Sequence, residues 1–497
     1  MINFFIKFIL IFLIVFTPIA FGSIELWAFS IMELGILLII ILWAVQSLLR
    51  PAPYMVQGEL RTPNSPPSVA SVLPGRRTGE LKTFDSQLNT LNSPLTIFLL
   101  FLFLLLILFQ LLPLPSGLIK ILSPKTFELR NSLSIFDSQL LTLNSKFQIS
   151  FFPLATQVEF FKWLTLIGLF FLLLRSRLLD DKYRVTHQLI VAIMLVGVAE
   201  SLYGMFEFFS GHKYILNLDM ETRIASVTGT FINRNYFAGY LLMVIPLIIG
   251  YLFSREAAQI NRFRGWRERL VSLDGKTLLI GFCVIVMILG LLFSASRMGI
   301  ASLLLSFTLL SLLFRSPSKE HKFSRTSVLI LGLALLWAAW IGLDFVISRF
   351  LTSSEDFKGR WVFWVNTFQI FKDFPIFGSG LGTFAWVFPM YRSFHLIGVA
   401  THAENDYLQL ASEVGMVGIG LLLILFLFLL YKAISGIRSL SHRESVRYIG
   451  IGGLVGILAL MFHSIVERNI QVPSNAFLYT ILWAIVLRIS ITKKGAI

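Results

Sequence analysis

The side chains best suited to chemistry lie in a polar and aromatic stretch between two hydrophobic runs, and two of them are candidate bases. The segment THAENDYLQLASEVG, from Thr401 to Gly415, places His402 and Glu404 at the start of a predicted helix. Either side chain can accept a proton from a hydroxyl group, histidine at its ordinary pKa and glutamate when burial raises its pKa. Thr401-x-x-Glu404 also fits a capping box, in which the carboxylate satisfies backbone N–H groups at a helix start. The pattern leaves both roles of Glu404 open.

Two arginines at the edges of hydrophobic runs are candidate phosphate ligands. Arg297 lies in a very short turn, SASRMG, and Arg360 opens the stretch RWVFWVNTFQIF. A guanidinium group is always charged and forks around pairs of phosphate oxygens, which suits a lipid pyrophosphate head group. The structural alternative for Arg297 is an arginine that snorkels to the membrane interface and helps to set the turn.

The stretch after Arg360 predicts an amphipathic helix on the membrane surface. Its apolar positions recur at helical spacing: Trp361, Trp364, Val365, Phe368 and Phe371. Arg360, Asn366, Gln369 and Lys372 would then face the head groups. The glycines of the following DFPIFGSGLGTF predict a tight turn after Pro375. They do not predict a nucleotide site, because no parallel strand precedes them and no Walker lysine follows.

Composition sets the class of fold that must position these residues. Of the 497 residues, 56% are hydrophobic and 14% are charged, and the mean hydropathy is +0.79. A soluble domain cannot hide so much apolar surface, whereas lipid solvates it. The hydrophobic runs continue over ~17 to 22 residues, which is the length of helical spans and not of barrel strands. The sequence therefore predicts an all-α polytopic membrane protein, with residues 1–497 as a single integral membrane domain.

About twelve transmembrane helices are predicted. They lie roughly at 4–21, 28–49, 95–114, 158–174, 187–209, 235–253, 277–294, 298–314, 327–345, 414–431, 449–466 and 475–489. The connections richest in Lys and Arg fall on one side, which the positive-inside rule makes cytoplasmic. Residues 50–94 are then a flexible cytoplasmic loop, and residues 115–157 are an extracytoplasmic loop. Residues 346–413 form a large extracytoplasmic catalytic loop between helices 9 and 10.

One decapeptide occurs twice in the first two of these loops. The copies are FDSQLNTLNS, from Phe84 to Ser93, and FDSQLLTLNS, from Phe136 to Ser145. In the predicted topology they fall on opposite faces of the membrane, so one ligand cannot meet both. We interpret them as a duplicated insertion without a catalytic role, in loops that serve as spacers.

Two classes of ligand are disfavoured by the sequence. The spacing of His402, Glu404 and Asp406 matches no established zinc pattern, and a base that accepts a hydroxyl proton needs no metal, so we expect no metal and no cofactor. The net charge of +15 would suit nucleic acid. Membrane topology and anionic lipids of the inner leaflet explain that charge more simply, and we expect no nucleic-acid partner.

Four motifs in a fixed order carry a family resemblance. They are GTFINRNYFAGYL from Gly229 to Leu241, then SASRMG, then the Arg360-x-x-x-Trp364 element with DFPIFGSGLGTF, and finally ENDYLQLASEVGMVG from Glu404 to Gly418. With these motifs the chain resembles the O-antigen ligase and polymerase superfamily of bacterial membrane glycan transferases, from Gln110 onward. Members of this family look like twelve-span proteins with a large outer-face loop between the ninth and tenth spans.

The resemblance implies glycan transfer at the periplasmic face of the bacterial inner membrane. A ligase moves a glycan from undecaprenyl pyrophosphate to lipid A-core or a similar acceptor, whereas a polymerase joins lipid-linked repeat units. We expect a ligase-like enzyme whose partners are this donor, a glycan acceptor and membrane lipids. A lipid-linked glycan transporter or flippase is the alternative from another class, and two similar six-span halves would favour it.

The resemblance also implies roles for particular residues. Arg297 and Arg360 would hold or neutralise the departing pyrophosphate, and the histidine of the family's His-Asn pair would activate the acceptor. Here Glu404 precedes Asn405, and the histidine lies two residues earlier at His402. The base is therefore Glu404 or His402, and we predict that Glu404→Gln impairs turnover more than His402→Ala.

The remaining candidates contact substrate or support the helices. The predicted substrate-binding residues are Asn233, Arg234, Asn235, Asn405 and Tyr407. His463 and Glu467 lie near the outer end of the eleventh predicted span. For these two residues a structural role is equally compatible with the sequence.

Overall fold

The computed structural model describes eleven segments of the chain. They are 2–49, 94–134, 146–175, 184–211, 214–216, 218–219, 226–260, 274–314, 353–395, 398–440 and 444–491. The described segments form fifteen α-helices. In chain order these are α1 Ile2–Ile19, α2 Leu26–Leu48, α3 Pro94–Leu111, α4 Ser116–Leu122, α5 Pro124–Ser134, α6 Pro153–Arg175, α7 Arg184–Ser210, α8 Arg234–Ile260, α9 Gly275–Phe293, α10 Arg297–Leu313, α11 Ser353–Asp373, α12 Phe384–Val387, α13 Asp406–Ser439, α14 Glu444–His463 and α15 Pro473–Ile491.

Four short strands and two short 3-10 helices, Phe21–Ser23 and Phe388–Met390, complete the described structure. Strand β1 (Leu114–Pro115) pairs antiparallel with β2 (Lys146–Phe147). Strand β3 (Tyr214–Ile215) pairs antiparallel with β4 (Leu218–Asp219). Each sheet has two strands of two residues, so helices make up nearly all of the described fold.

The helix boundaries follow from local chemistry. Proline is the first residue of α3, α5, α6 and α15, a position where its missing N–H is not needed. Side-chain caps start two helices near the predicted site. Ser296 Oγ accepts from the Gly299 amide at 3.2 Å before α10, and Asn405 Oδ1 accepts from the Leu408 amide at 2.9 Å before α13. Six of these helices therefore begin where proline has no N–H to satisfy or where a side chain caps the free backbone amides.

The predicted class of fold, an all-α polytopic membrane protein, is confirmed. Within the described residues, nine helices are long and apolar enough to cross a membrane: α1, α2, α3, α6, α7, α8, α9, α13 and α14. Helices α10 and α15 occupy two further predicted spans. The predicted ninth span, 327–345, lies outside the described residues, as do the two copies of the decapeptide and nearly all of the predicted loop at 50–94.

Helix α8 lies at the centre of the bundle and packs most extensively against α14. Glycines allow the two backbones to approach. A Cβ atom on Gly250 would overlap the Tyr448 carbonyl oxygen, and one on Gly452 would overlap the Pro246 carbonyl oxygen. Close approach at small residues is the usual way in which membrane helices gain packing energy, since lipid provides no hydrophobic driving force between them. The packed pair of α8 and α14 thus supports the polar residues that follow α14.

The polar insert folds as a helix, a glycine turn and a second helix start. Helix α11 leads into residues 378–382, where Gly378, Gly380 and Gly382 all have positive φ angles of +74°, +110° and +79°. The predicted tight turn is therefore confirmed. This turn packs on a break in α13 at Gly415, where the Met416 amide donates to the Pro375 carbonyl at 2.8 Å.

Gly378→Ala is expected to destabilise the protein by about 2 kcal/mol or more. A Cβ atom at Gly378 would overlap the Glu413 carbonyl group, and alanine would also be strained at a φ of +74°. Gly359→Ala is the matched control, because Gly359 lies in α11 with no atom within 4 Å of its added Cβ. Thermal unfolding of both full-length variants in detergent measures the difference. Equal midpoints for the two variants would contradict the packing described for the turn.

Helix α11 is amphipathic, but its faces differ from the prediction. Trp361 and Phe368 are exposed, which agrees with an apolar face turned to lipid. Asn366 was predicted to face the head groups and is instead buried, where its Nδ2 donates to Ser393 Oγ at 3.1 Å. The reason is that α11 packs on the rest of the insert through the Asn366 side, with Ile370 in the same buried cluster.

The described ends of the predicted 115–157 loop form hydrogen bonds with the glycine turn at residues 378–382. The Phe151 amide donates to the Ser379 carbonyl at 2.8 Å, and Thr156 Oγ1 donates to the Leu381 carbonyl at 2.8 Å. Arg130 of α5 donates to the Ser150 carbonyl at 2.9 Å. These bonds tie the loop to the glycine turn. The interpretation of this loop as a spacer is wrong for its described ends, because they support the insert.

Candidate active site

The candidate site is built around residues 464–472, which connect α14 to α15 and which we call the 464–472 connection. It holds the start of α13. The Asp406 amide donates to the Ser464 carbonyl at 3.1 Å. The buried Asp406 carboxyl group accepts from the amides of Asn469 at 2.8 Å and Ile470 at 2.7 Å. Because Asp406 is the first residue of α13, residues 401–405 are held beside the connection.

Arg360 of α11 reaches the same connection. Its guanidinium group forms an ion pair with Glu467 and donates to the Val466 carbonyl at 2.5 Å. Glu467 is 2% exposed, so its charged form is removed from water. Burial raises the pKa of Glu467 above its usual range, Arg360 opposes this shift, and the nearby Glu404 carboxyl group adds to it. Arg360 is therefore already bound to a protein carboxyl group before any substrate arrives.

Glu404 lies in the turn before α13 and not within the helix. Of the two roles left open for Glu404, the capping box with Thr401 does not form, because Asn405 occupies the N-cap position. Glu404 has a φ of +51°, a left-handed conformation that is strained for a residue with a side chain. Trp364 Nε1 donates to its carbonyl oxygen at 3.4 Å. Glu404 is half-buried, and its carboxyl group is one of the charges that raise the pKa of Glu467.

His402 is engaged by an arginine that the sequence did not single out. Arg468 Nη1 donates to His402 Nε2, so this ring nitrogen has no lone pair left to accept a substrate proton. Burial, Arg468 and Lys162 together lower the pKa of His402 to about 2. A histidine with so low a pKa is a weak base at neutral pH. Arg468 also lies over the Tyr236 ring, 5.9 Å from its centre, which joins the start of α8 to the site.

The turn that carries Arg297 meets the 464–472 connection through a buried hydrogen-bond chain. Ser296 Oγ lies 3.4 Å from His463 Nε2, and Asn469 Nδ2 lies 2.9 Å from His463 Nδ1. Arg297 is the first residue of α10 and directly follows Ser296. The structure thus fixes this turn to the connection that also binds Arg360, although the two arginines are distant in sequence.

The predicted substrate-binding residues stand at two helix starts. Asn405 caps α13, and Asn233 Oδ1 accepts from the Asn235 amide at 2.8 Å beside the start of α8. The Tyr407 hydroxyl donates to the Met461 carbonyl at 2.7 Å. Through these hydrogen bonds, Asn233, Asn405 and Tyr407 stabilise the protein at the edge of the site. Arg234 is half-buried at the first position of α8, two residues before the Tyr236 ring that contacts Arg468.

The amides of the glycine turn are bound within the protein. Glu413 accepts from the Gly382 amide at 2.9 Å and from the Phe384 amide at 3.1 Å. Gln110 Oε1 accepts from the Leu381 amide at 3.1 Å, and Gln110 Nε2 donates to the Glu413 carbonyl at 2.9 Å. These amides are thus occupied, which agrees with a structural turn and not with a phosphate loop.

A cavity of about 300 Å³ lies between α3, α6, α13 and α15 and borders the site at the start of α13. Its wall is mainly apolar, with a few polar side chains: Glu159, Lys162, Asp406, Glu413 and Gln471. Lys162 is buried there and forms an ion pair of 2.5 Å with Glu159. Over the described part of the chain, no three His, Cys, Asp or Glu side chains are grouped to hold a metal ion.

The sequence alone does not identify the role of the 464–472 connection. It is equally compatible with a structural role for Glu467, and no motif in it singles out Arg468 or Asn469. One signal was present: the run ERN lies in a nine-residue connection between two apolar helices. A charged pair at the end of a span is expensive near lipid, and such residues mark functional sites.

The fold and the site define a multi-pass membrane protein that gathers two glutamates, two arginines and a histidine at one end of its helix bundle. Residues 282–423 match the family model described as O-antigen ligase. This match supports the resemblance to the O-antigen ligase and polymerase superfamily over that region, which is less than half of the chain. The family implies a membrane glycosyltransferase that acts on lipid-linked glycans. No curated protein matches the chain significantly.

Proposed function

We propose that the protein is an O-antigen ligase-like glycosyltransferase. It moves a glycan from undecaprenyl pyrophosphate to a hydroxyl group of lipid A-core or a similar acceptor, at the periplasmic face of the inner membrane. The observation that carries this proposal is the convergence of Glu404, Arg360 and Arg468 at one end of the bundle. Two of these three residues lie within the region that matches the O-antigen ligase model.

The proposed reaction is a single displacement that uses the activation already present in the donor. The acceptor oxygen forms a bond to the anomeric carbon while the bond between that carbon and the phosphate oxygen breaks. The electron pair of the broken bond leaves with undecaprenyl pyrophosphate, and the hydroxyl proton goes to Glu404. The protein therefore mainly aligns the two substrates and stabilises the charge on the leaving phosphate.

Three arginines supply that charge stabilisation in the proposal. Arg297 and Arg360 were predicted from the sequence, and Arg468 joins them because it lies in the 464–472 connection beside Glu467. Guanidinium groups bind phosphate oxygens in pairs and stay charged at any physiological pH. The neighbouring apolar cavity offers surface for the start of the prenyl chain, so the pyrophosphate would lie between lipid and the arginines.

The glycan profile of a deletion strain tests the proposed function. Loss of long chains from lipid A-core, with polymer retained on the lipid carrier, is the result expected for a ligase. Single repeat units on the core would identify a polymerase instead. Lipid-linked units that accumulate on the cytoplasmic side would identify a flippase. Restoration by the wild-type gene, and not by a Glu404→Gln copy, would tie the phenotype to this site.

A further inference from the structure

Two buried asparagines and a buried histidine connect the start of α15 to the turn that carries Arg297. Asn475 belongs to α15, and Asn469 belongs to the 464–472 connection. His463 is the last residue of α14. The exposed fraction of each of these three residues is 0%. Buried polar groups are paired in native proteins, so the donor and acceptor atoms of each side chain follow from its neighbours.

A backbone carbonyl group sets the direction of these hydrogen bonds. Asn475 Nδ2 lies 3.1 Å from the Tyr236 carbonyl oxygen and 3.2 Å from Asn469 Oδ1. A carbonyl oxygen only accepts, so the amide nitrogen of Asn475 must face Tyr236. Ser474 Oγ donates to Asn475 Oδ1 at 3.4 Å, which agrees with this orientation. Asn469 therefore turns its oxygen towards Asn475, and its amide nitrogen faces His463.

This direction fixes the position of the hydrogen on His463. Asn469 Nδ2 donates to His463 Nδ1 over 2.9 Å, so Nδ1 presents a lone pair and carries no hydrogen. A neutral imidazole has one N–H, which must then lie on Nε2. Nε2 lies 3.4 Å from Ser296 Oγ and is the donor of that contact. An imidazolium ion does not fit, because its Nδ1–H would point at the amide hydrogens of Asn469.

Ser296 receives this hydrogen bond at the N-cap of α10, directly before Arg297. Ser296 Oγ also accepts from the Gly299 amide at 3.2 Å, so both lone pairs of the hydroxyl oxygen are occupied. Ala295, one residue earlier, has a φ of +49°, which is strained for a residue with a side chain. A strained turn persists only where its surroundings hold it, and the hydrogen bond from His463 is part of that support.

The fold leaves room for these amides at Gly239 of α8. A Cβ atom on Gly239 would lie 2.0 Å from Asn469 Oδ1 and 3.3 Å from Asn475 Nδ2. Asn469 is held through its backbone as well, because its amide donates to the Asp406 carboxyl group at 2.8 Å. The turn before Arg297 and the start of α13 are therefore positioned by the same residue.

We propose that His463 is a positioning residue, held as the neutral Nε2–H tautomer, which donates to Ser296 Oγ and thereby fixes the turn that presents Arg297 to the leaving pyrophosphate. Its Nδ1 lone pair is matched to Asn469, so the ring has one orientation and one tautomer. The tautomer follows from the hydrogen bonds and does not depend on the proposed function. The effect of His463 on glycan transfer rests on that function.

Nitrogen NMR of the full-length protein in detergent, with isotope-labelled histidines, tests the tautomer without any substrate. The chain has 7 histidines, and the signals of His463 are those that disappear in His463→Gln. At neutral pH we expect an Nδ1 without hydrogen and an Nε2 that carries one. A hydrogen on Nδ1, in the other tautomer or in the imidazolium ion, would overturn the proposal.

Transfer assays with undecaprenyl-pyrophosphate-linked glycan and an isolated lipid A-core acceptor test the positioning role, with each rate divided by the amount of protein in the membrane. His463→Asn has a shorter amide that can meet Asn469 but not Ser296. Its rate is expected to fall by about fivefold to tenfold, the effect of losing one buried hydrogen bond. His463→Gln has a longer side chain that brings an N–H donor back to Ser296, and its rate is expected to stay within about twofold of the wild type.

A double-mutant cycle shows whether His463 acts through Ser296. Ser296→Ala removes the acceptor, so adding His463→Asn to it is expected to lower the rate no further. The same loss in both backgrounds would overturn the positioning role, since His463 would then act elsewhere. Thr308→Ala is the matched control, because it removes an exposed hydroxyl group from the same helix α10, and its rate is expected to equal that of the wild type.

The two assays separate this proposal from the proposed function. If the NMR result holds while the wild type transfers no glycan, the assignment of His463 stands and the proposed function fails. If the wild type transfers glycan and His463→Asn transfers it equally fast, the positioning role fails and the proposed function stands.

Discussion

Arg360→Ala is expected to lower the rate of glycan transfer by about a hundredfold to a thousandfold, the usual effect of removing one preorganised group from a developing negative charge. Arg360 is the cation bound to Glu467, and its helix carries it to the edge of the 464–472 connection. Without it, the leaving pyrophosphate loses a fixed positive charge and Glu467 loses its partner. The rate with a lipid-linked donor, divided by the amount of protein in the membrane, measures the effect.

Two further variants separate charge from general damage. Arg360→Lys keeps the charge but not the fork that meets both Glu467 and the Val466 carbonyl, so an intermediate rate is expected. Lys372→Ala removes a positive charge from the same helix, about 18 Å further along its axis, where the ammonium group lies over Phe368. Its rate is expected to match the wild type. Wild-type transfer by Arg360→Ala would remove this residue from the proposed site.

The positions of the membrane helices were readable from the sequence because they depend on length and composition. A continuous apolar run of span length has few options in lipid other than a helix, so eleven of the predicted spans coincide with helices of the described structure. The glycine turn was also predictable from the sequence. Gly378, Gly380 and Gly382 adopt positive φ angles, which are unfavourable for residues with a side chain. These features are local, and a local pattern is sufficient to specify them.

The capping box does not form because the segment contains two residues that can cap the helix, Thr401 and Asn405. Thr401-x-x-Glu404 fits the pattern, yet Asn405 is a better N-cap and starts the helix later. The consequence is large for the site. Glu404 lies in a strained turn before α13 and not in the first turn of the helix.

The partner of Arg360 could not be read from the sequence, because the pairing is tertiary. Glu467 lies in a different connection, far along the chain, and no periodicity relates the two residues. The same holds for His402 and Arg468. The buried side of α11 depended on packing as well: Asn366 turned inward because Ser393 offers it a partner. Spacing predicts which residues share a helix face, but not which face a neighbour covers.

The second large effect is expected at Glu404. Glu404→Gln replaces the carboxylate that accepts the proton with a neutral amide of the same size. The new side chain meets the same left-handed backbone conformation as the wild type. The rate of transfer is expected to fall by about a hundredfold or more, as for the loss of a general base. Binding of the donor, measured separately, is expected to change little, because the pyrophosphate contacts are made by arginines in the proposal.

His402→Ala is the matched comparison, and its effect is expected to be smaller than that of Glu404→Gln. His402 Nε2 already accepts from Arg468, and its pKa is lowered to about 2, so it does not compete for the acceptor proton. Its loss removes one contact that orients Arg468, worth about 1 kcal/mol or roughly fivefold in rate. If His402→Ala proves the more damaging variant, the proton passes to His402, and the Arg468 contact must open during turnover.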